Sequence, residues 1–229
     1  MIQTPLPSDR PTPLRFPAGV YGVTPGWEDT GRLVAAVRAA AAGGMRSLQY
    51  RSKHPDRALR MAQAQALRAV CTELDVVYLV NDEWAIALAV GADGVHLGRD
   101  DGDIEAARTA LGPDAIVGVS CYDDLDRARA LLVAGADYIA FGAVYPSTVK
   151  PGAPRATLDL LRQARDLVAH LPALRPAVVA IGGITPDNAA PVAAAGADAL
   201  AVITGLFDAP DITAAARRLA AACAQPPES

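Results

Sequence analysis

The chain has 229 residues, 52% of them hydrophobic and 20% charged, with a formal net charge of −4. That is a soluble globular composition, and the length suits one large domain or two small ones. The net charge gives no overall footprint for nucleic acid or a membrane surface, so any bound anion must be held by a local cationic site. Cys71, Cys121 and Cys223 are an odd number without metal-type spacing, which reads as buried thiols in a reducing cytosol. His54, His96 and His170 are scattered and form no metal motif. The first sixteen residues are rich in proline and polar side chains and lack the apolar core of a signal peptide. Nothing later is long enough to span a bilayer. The expected compartment is the cytoplasm.

In chain order, short runs rich in apolar and β-branched residues alternate with Ala/Leu/Arg-rich helical runs. Strands are predicted near 19–24, 46–53, 76–81, 94–98, 116–121, 138–145, 177–182 and 199–204. Helices are predicted over 29–42, 55–73, 83–90, 103–111, 124–134, 156–170, 186–195 and 211–223. The segment Gly91-Ala92-Asp93-Gly94 recurs as Gly135-Ala136-Asp137 and Gly196-Ala197-Asp198. Each copy ends a helix with glycine and enters the next strand. Alternating strands and helices argue for a parallel sheet. Eight such units in this length argue for a single-domain α/β protein, a closed (β/α)8 TIM barrel, whose usual size is roughly 250 residues. An open doubly wound sheet is the rival, but it would carry a Gly-rich turn after its first strand. Here that strand ends Thr24-Pro25-Gly26. Residues 1–17 are read as a flexible arm, 18–224 as the barrel and 225–229 as a tail.

A barrel places its chemistry at the carboxyl ends of its strands. The second strand contains Leu48-Gln49-Tyr50-Arg51-Ser52-Lys53. Alternate side chains in a strand share one face, so Gln49, Arg51 and Lys53 are expected inside, with Leu48, Tyr50 and Ser52 toward the helices. The following strand ends bring Asn81-Asp82, Asp101, Ser120, the loop Tyr145-Pro146-Ser147-Thr148-Val149-Lys150, Gly182-Gly183 and Ile203-Thr204-Gly205. Bland readings stand beside functional ones. Asp82 and Asp101 could start helices, as Asp103 and Asp187 are expected to. Ser120 could be an ordinary buried hydroxyl and Lys150 a solvated charge. His96, inside a strand, is read as a satisfied barrel-lining histidine. The combination carries the functional reading. Arg51, Lys53 and Lys150 offer donors for several phosphate oxygens. Asp82 and Asp101 offer hard oxygen ligands, the usual protein share of a Mg²⁺ site. The glycine turns after strands seven and eight match the recurrent phosphate site of barrels. Two anion sites follow, suited to a diphosphate and a monophosphate.

These residues resemble the thiamine phosphate synthase family over nearly the whole chain, from about Gly19 to Ala222. The resemblance rests on the Q-x-R-x-K strand, Val80-Asn81-Asp82, Gly94-Val95-His96-Leu97-Gly98 with Asp101 behind it, Gly118-Val119-Ser120, the Tyr145-to-Lys150 loop and Ala180-Ile181-Gly182-Gly183-Ile184-Thr185. It implies a transferase that joins hydroxymethylpyrimidine diphosphate to a hydroxyethylthiazole phosphate and releases pyrophosphate. It implies Gln49 at the pyrimidine ring and Asn81 near the diphosphate. Arg51, Lys53 and Lys150 would hold the diphosphate, with Ser120 beside the departing pyrophosphate. Asp82 and Asp101 would bind Mg²⁺. Ser147, Gly183, Ile203 and Thr204 would serve the thiazole phosphate, with Thr148 as the residue that takes over the phosphate hydrogen bond lost at Val149. The implied partners are small molecules, with no nucleic acid and no membrane; a homo-oligomer is left open. The chain departs from the family at Val149, where a hydroxyl residue usually precedes the lysine, at Arg99 (usually glutamine) and at Tyr122 (usually histidine). A thiazole tautomerase of the same fold uses a histidine near Tyr122 and often lacks the paired aspartates. A sugar-phosphate isomerase or epimerase barrel would need Lys53 and Asp82 as an acid/base pair. A non-catalytic phosphate-binding barrel is the alternative from another class.

Overall fold

The computed structural model describes residues 14–99, 103–146, 155–172 and 174–224. Eight parallel strands pair in chain order and close on themselves: β1 (Gly19–Val23), β2 (Met45–Tyr50), β3 (Val77–Asn81), β4 (Gly94–Leu97), β5 (Ile116–Tyr122), β6 (Tyr138–Phe141), β7 (Ala177–Ile181) and β8 (Ala199–Val202). Helices α1 (Thr30–Ala42), α2 (Arg57–Glu73), α3 (Trp84–Val90), α4 (Ile104–Leu111), α5 (Leu125–Val133), α6 (Leu158–Ala169), α7 (Ala189–Ala194) and α9 (Ile212–Cys223) alternate with them. A short helix, α8 (Thr204–Phe207), follows β8 directly; the sequence pattern does not predict it, because four residues carry no periodicity. Side-chain oxygens of Asp29, Asp56, Asp103, Asp124, Thr157 and Asp211 accept backbone N–H groups in the first turns of α1, α2, α4, α5, α6 and α9. Such caps satisfy donors that have no partner inside the helix.

The strands bury both faces, and two apolar cores result. One lies between strands and helices, with Leu48, Tyr50, Val80, Val95, Val119, Phe141, Val178 and Leu200 on the sheet side. The other fills the barrel with Tyr21, Val23, Leu79, Tyr138, Ala140, Val179 and Ala201. Phe16, wholly buried, closes the inner core; its ring centroid lies 4.9 Å from that of Tyr21 and 4.4 Å from that of Tyr138. Leu14 bridges to Arg175, and Arg15 pairs with Asp137 at 3.1 Å. Of the expected arm, residues 14–17 are therefore packed as a plug. Residues 1–13 and the tail 225–229 lie outside the described residues.

The recurrent Gly-Ala-Asp segments do more than end helices. Asp93, Asp137 and Asp198 stand just before β4, β6 and β8. Their carboxylates accept the backbone N–H of Tyr78, Val117 and Val178 at 2.8, 2.7 and 2.8 Å on the neighbouring strand. Each is also paired with an arginine from the helix before that neighbour: Arg68, Arg108 and Arg165. Arg175, almost fully buried, adds a second cation to Asp198 at 2.7 Å. Three strand pairs are thus stapled at the amino end of the barrel.

Two predicted strands end three or more residues early. β2 stops at Tyr50 rather than Lys53 because the Thr24 hydroxyl takes over the backbone of Arg51. It accepts the Arg51 N–H at 2.8 Å and donates to the Arg51 carbonyl at 3.1 Å. Regular β6 stops at Phe141. Past Gly142 and Ala143 the chain still follows β7, with the N–H groups of Val144 and Tyr145 reaching the carbonyls of Ile181 and Gly182, both at 3.0 Å.

Candidate active site at the carboxyl end of the barrel

The expected inward face of β2 holds for Gln49, which donates from Nε2 to the Tyr21 hydroxyl at 2.7 Å inside the barrel. Tyr50 points outward and donates to Gln63 Oε1 on α2 at 3.0 Å. Arg51 and Lys53 are loop residues at the mouth, half-buried and exposed respectively, rather than strand residues. Among the described residues neither forms an ion pair. Their loop is fastened behind them: Arg60 donates to the His54 carbonyl at 2.6 Å and pairs with Glu83 at 3.0 Å.

Asp82 follows β3 with φ +60°, a left-handed conformation that few residues other than glycine adopt, Asp and Asn being the more tolerant. It is half-buried. The residue at the cap of α3 is Glu83, and it makes no side-chain cap bond. The helix-start reading of Asp82 is thereby removed: its carboxylate accepts the Asn81 amide instead. Asp103 does cap α4, accepting from the Ala106 N–H at 2.6 Å. Asp187 does not cap α7; it is paired with Arg218 on the surface at 2.6 Å. A carboxylate held by a neighbouring amide at a strand end is the hard oxygen donor that Mg²⁺ prefers, so Asp82 suits that ion. Its expected partner Asp101 lies outside the described residues, as do Ser147, Thr148, Val149 and Lys150. Among the described residues no group of three or more His, Cys, Asp or Glu gathers.

Ser120 lies on β5, half-buried, with its hydroxyl 2.9 Å from His96 Nε2. Arg127 Nε holds the Ser120 carbonyl at 2.9 Å. His96 Nδ1 lies 2.9 Å from the Tyr138 hydroxyl, so both ring nitrogens have partners, as the sequence reading expects. At the far side, Gly183 has φ +64°, and a Cβ there would lie 2.5 Å from the Pro146 carbonyl. The glycine thus serves both a left-handed turn and a close approach of two mouth loops. Asn188 fastens that turn, accepting the Thr185 N–H at 2.8 Å and donating to the Gly183 carbonyl at 3.0 Å. Ile203 and Thr204 lead directly into α8 beside it. Arg99 stacks over the Tyr122 ring at 4.8 Å, so these two departures from the family pattern meet each other.

The structure thus brings Gln49, Arg51, Lys53, Asn81, Asp82, Ser120, Gly183, Ile203 and Thr204 to one end of one barrel, on five of its strands or the loops after them. Sequence reasoning missed Thr24, Tyr21, Tyr138 and Asn188, which position the others. Only Asn188 left a signal, three residues after Thr185 in a turn-forming Thr-Pro-Asp-Asn run.

A (β/α)8 barrel that carries two cations without an ion pair among the described residues, a strand-end carboxylate and glycine turns at its carboxyl end fits a phosphate-handling enzyme. Comparison with known proteins narrows the class. A family model for thiamine monophosphate synthase matches residues 20–206. The thiamine-phosphate synthase of Bordetella pertussis (strain Tohama I) is 64% identical over 209 residues, 91% of this chain and 96% of that protein. That of Thiobacillus denitrificans is 54% identical, covering 93% and 98%. The solved thiamine phosphate pyrophosphorylase from Pyrococcus furiosus superposes with a TM-score of 0.77 at 34% identity, covering 91% and 96%. The chain belongs to the thiamine monophosphate synthase family and is a transferase.

Proposed function

We propose that the carboxyl-end mouth binds hydroxymethylpyrimidine diphosphate beside hydroxyethylthiazole phosphate and joins them, giving thiamine monophosphate and pyrophosphate. The observation that carries the residue assignment is that the cations Arg51 and Lys53, without an ion pair among the described residues, stand at the same mouth as the Asp82 carboxylate. In the reaction the bond from the pyrimidine methylene to the diphosphate oxygen breaks, and its electron pair leaves with pyrophosphate. The thiazole nitrogen supplies the pair for the new carbon–nitrogen bond. Negative charge therefore builds on the leaving group, and donors aimed there stabilise the transition state more than the ground state.

Arg51 serves as a planar, two-pronged donor to the diphosphate. Lys53 adds a point charge on a flexible stem, and Lys150 is assigned as a further cation for the diphosphate. Gln49 reads the polar edge of the pyrimidine, Asn81 sits by the diphosphate, and Ser120 donates to the departing pyrophosphate. Asp82 and Asp101 would hold Mg²⁺, which when bound adds positive charge beside the leaving group. Gly183, with Ser147, Thr148, Ile203 and Thr204, holds the thiazole phosphate; a short helix after the eighth strand is a recurrent feature of barrel phosphate sites. No protein nucleophile is required. Substrates are small molecules, and the setting is the cytoplasm; no described helix is long and apolar enough to cross a membrane.

The test is a coupled assay of pyrophosphate release with both substrates, run on the parent and on Asp82→Asn, which keeps a residue tolerant of the left-handed backbone. Release that needs both substrates and Mg²⁺, and is lost in a variant with unchanged melting temperature, supports the reading. Substrate-induced melting shifts without pyrophosphate would instead mark a binding protein. Near-parent turnover by Asp82→Asn would remove the metal assignment.

A further inference from the structure

The barrel interior holds one continuous hydrogen-bonded chain of five side chains from five strands. Gln49 Nε2 on β2 meets the Tyr21 hydroxyl on β1 at 2.7 Å. Tyr21 and Tyr138 on β6 are 2.8 Å apart, oxygen to oxygen. Tyr138 meets His96 Nδ1 on β4 at 2.9 Å, and His96 Nε2 meets Ser120 Oγ on β5 at 2.9 Å. The two ends are site residues; the three middle members have no role in the reading above.

The chain is built into the fold. Tyr138 can lie across the barrel only because residue 118 is glycine: a Cβ there would fall 1.8 Å from the phenol ring. The His96 and Tyr138 rings stack at 5.6 Å with 18° between their planes, and Phe16 supports both tyrosines from below. Burial pushes both phenols up from their ordinary pKa, so they stay protonated and each can donate one bond and accept another.

Proton count then links the ends. A neutral imidazole has one N–H and one bare nitrogen. With the Gln49 amide nitrogen donating to Tyr21, the buried Tyr21 proton finds its acceptor in the chain at Tyr138, and the Tyr138 proton finds its own at His96 Nδ1. His96 then carries its proton on Nε2 and donates to Ser120. The Ser120 proton is left to donate elsewhere, and Gln49 Oε1 makes no hydrogen bond among the described residues. Reversing any one bond leaves a buried phenol proton without an acceptor in the chain, or a neutral imidazole with two protons or none, unless the rest reverse with it. We infer that Tyr21, Tyr138 and His96 are positioning residues that set the polarity of both ends together. They present Ser120 as a donor to the departing pyrophosphate whenever Gln49 presents its carbonyl oxygen to the pyrimidine. This rests on the proposed roles of Gln49 and Ser120.

The experiment is a double-mutant cycle with Tyr138→Phe and Ser120→Ala, reading kcat and KM for the pyrimidine diphosphate beside thermal unfolding. Loss of the outer partner of a metal ligand lowers activity by about 10- to 100-fold, and an effect of that size is taken as the expectation for this chain. Tyr138→Phe is expected to lose that much kcat in the parent and at most about twofold in the Ser120→Ala background, since the shared bond can be lost only once. Tyr78→Phe is the control: it removes a buried phenol bond to the Ala64 carbonyl outside the barrel and should leave kcat unchanged. If Tyr138→Phe fails to fold, Tyr21→Phe breaks the chain one link away and takes its place. Parent-like kcat in the phenylalanine variant, or losses that multiply in the double variant, would overturn the inference. If Ser120→Ala alone turns over normally, the assignment of Ser120 falls and the inference with it.

Discussion

The two ends of this barrel treat charge in opposite ways. At the amino end every carboxylate of the recurrent segment is matched: Asp93 with Arg68, Asp137 with Arg15 and Arg108, Asp198 with Arg165 and Arg175. Each also accepts a strand N–H. At the carboxyl end Arg51 and Lys53 form no ion pair among the described residues, and Asp82 holds a left-handed backbone. Paired charge fixes strands, and on the proposed reading the Arg51 and Lys53 cations serve a ligand. Stability is invested at one end and binding at the other, and substitutions can tell them apart.

The largest effect is expected at the amino end. Asp198→Ala strands the nearly buried Arg175 guanidinium and removes the acceptor of the Val178 N–H. Breaking a buried pair from one side costs about 3–5 kcal/mol, or a fall in melting temperature of roughly 6–20 °C at 2–4 °C per kcal/mol. Turnover of the remaining folded protein at low temperature should be close to parental, and a turnover defect without lost stability would erase the division between the ends.

Arg51→Lys should behave in reverse. Losing an oriented charged donor in such a site typically costs about 2.7–4 kcal/mol of transition-state stabilisation, roughly 100- to 1,000-fold in rate. Melting should not move, because the Arg51 backbone is held by Thr24 whatever its side chain. Parental rates at subsaturating diphosphate would show that Arg51 is only a surface charge.

A smaller effect separates two aspartates at the same end. Asp103→Ala removes a helix cap and should lower stability by about 1 kcal/mol without affecting turnover. Denaturant midpoints of Asp103→Ala and Asp82→Asn, measured beside turnover, should therefore rank in opposite orders.

The smallest effect concerns the thiols. Burial pushes Cys71 and Cys121 up to about 12 and Cys223 to about 11. Thiolate is the reactive form, so alkylation of the native enzyme at pH 8 should be slow and leave turnover unchanged. In the unfolded chain these thiols ionise first, so the native state binds more protons as pH rises. Stability should be intact below about 8.5 and decline above it toward the native values. A Cys71→Ala, Cys121→Ala double variant should show a shallower alkaline loss, read from denaturant midpoints across pH 8 to 11.

Gly183 shows where sequence and tertiary structure divide. The glycine turn is visible in the sequence, and a phosphate site is a fair reading of it. The structure adds a steric duty, since any side chain there meets Pro146 and Tyr145. A bulky substitution would thus disturb the mouth loops even without ligand. The Gly-Ala-Asp repeat divides in the same way: the sequence displays a helix-ending glycine, while the partners of the aspartate lie on another strand and an earlier helix.

By itself the sequence determined the eight alternating units, the closed barrel, the family and the strand ends that carry Gln49, Arg51, Asp82, Ser120 and Gly183. All of these depend on local period, turn chemistry and residue type, which short windows display. Only the tertiary structure decided that β2 stops at Tyr50, that Phe16 plugs the inner core, and that Tyr21, Tyr138 and His96 join Gln49 to Ser120. Those features depend on which residues meet across the barrel. Tyr21 and Tyr138 are 117 positions apart, and no pattern along the chain encodes a contact that closure of the sheet alone creates.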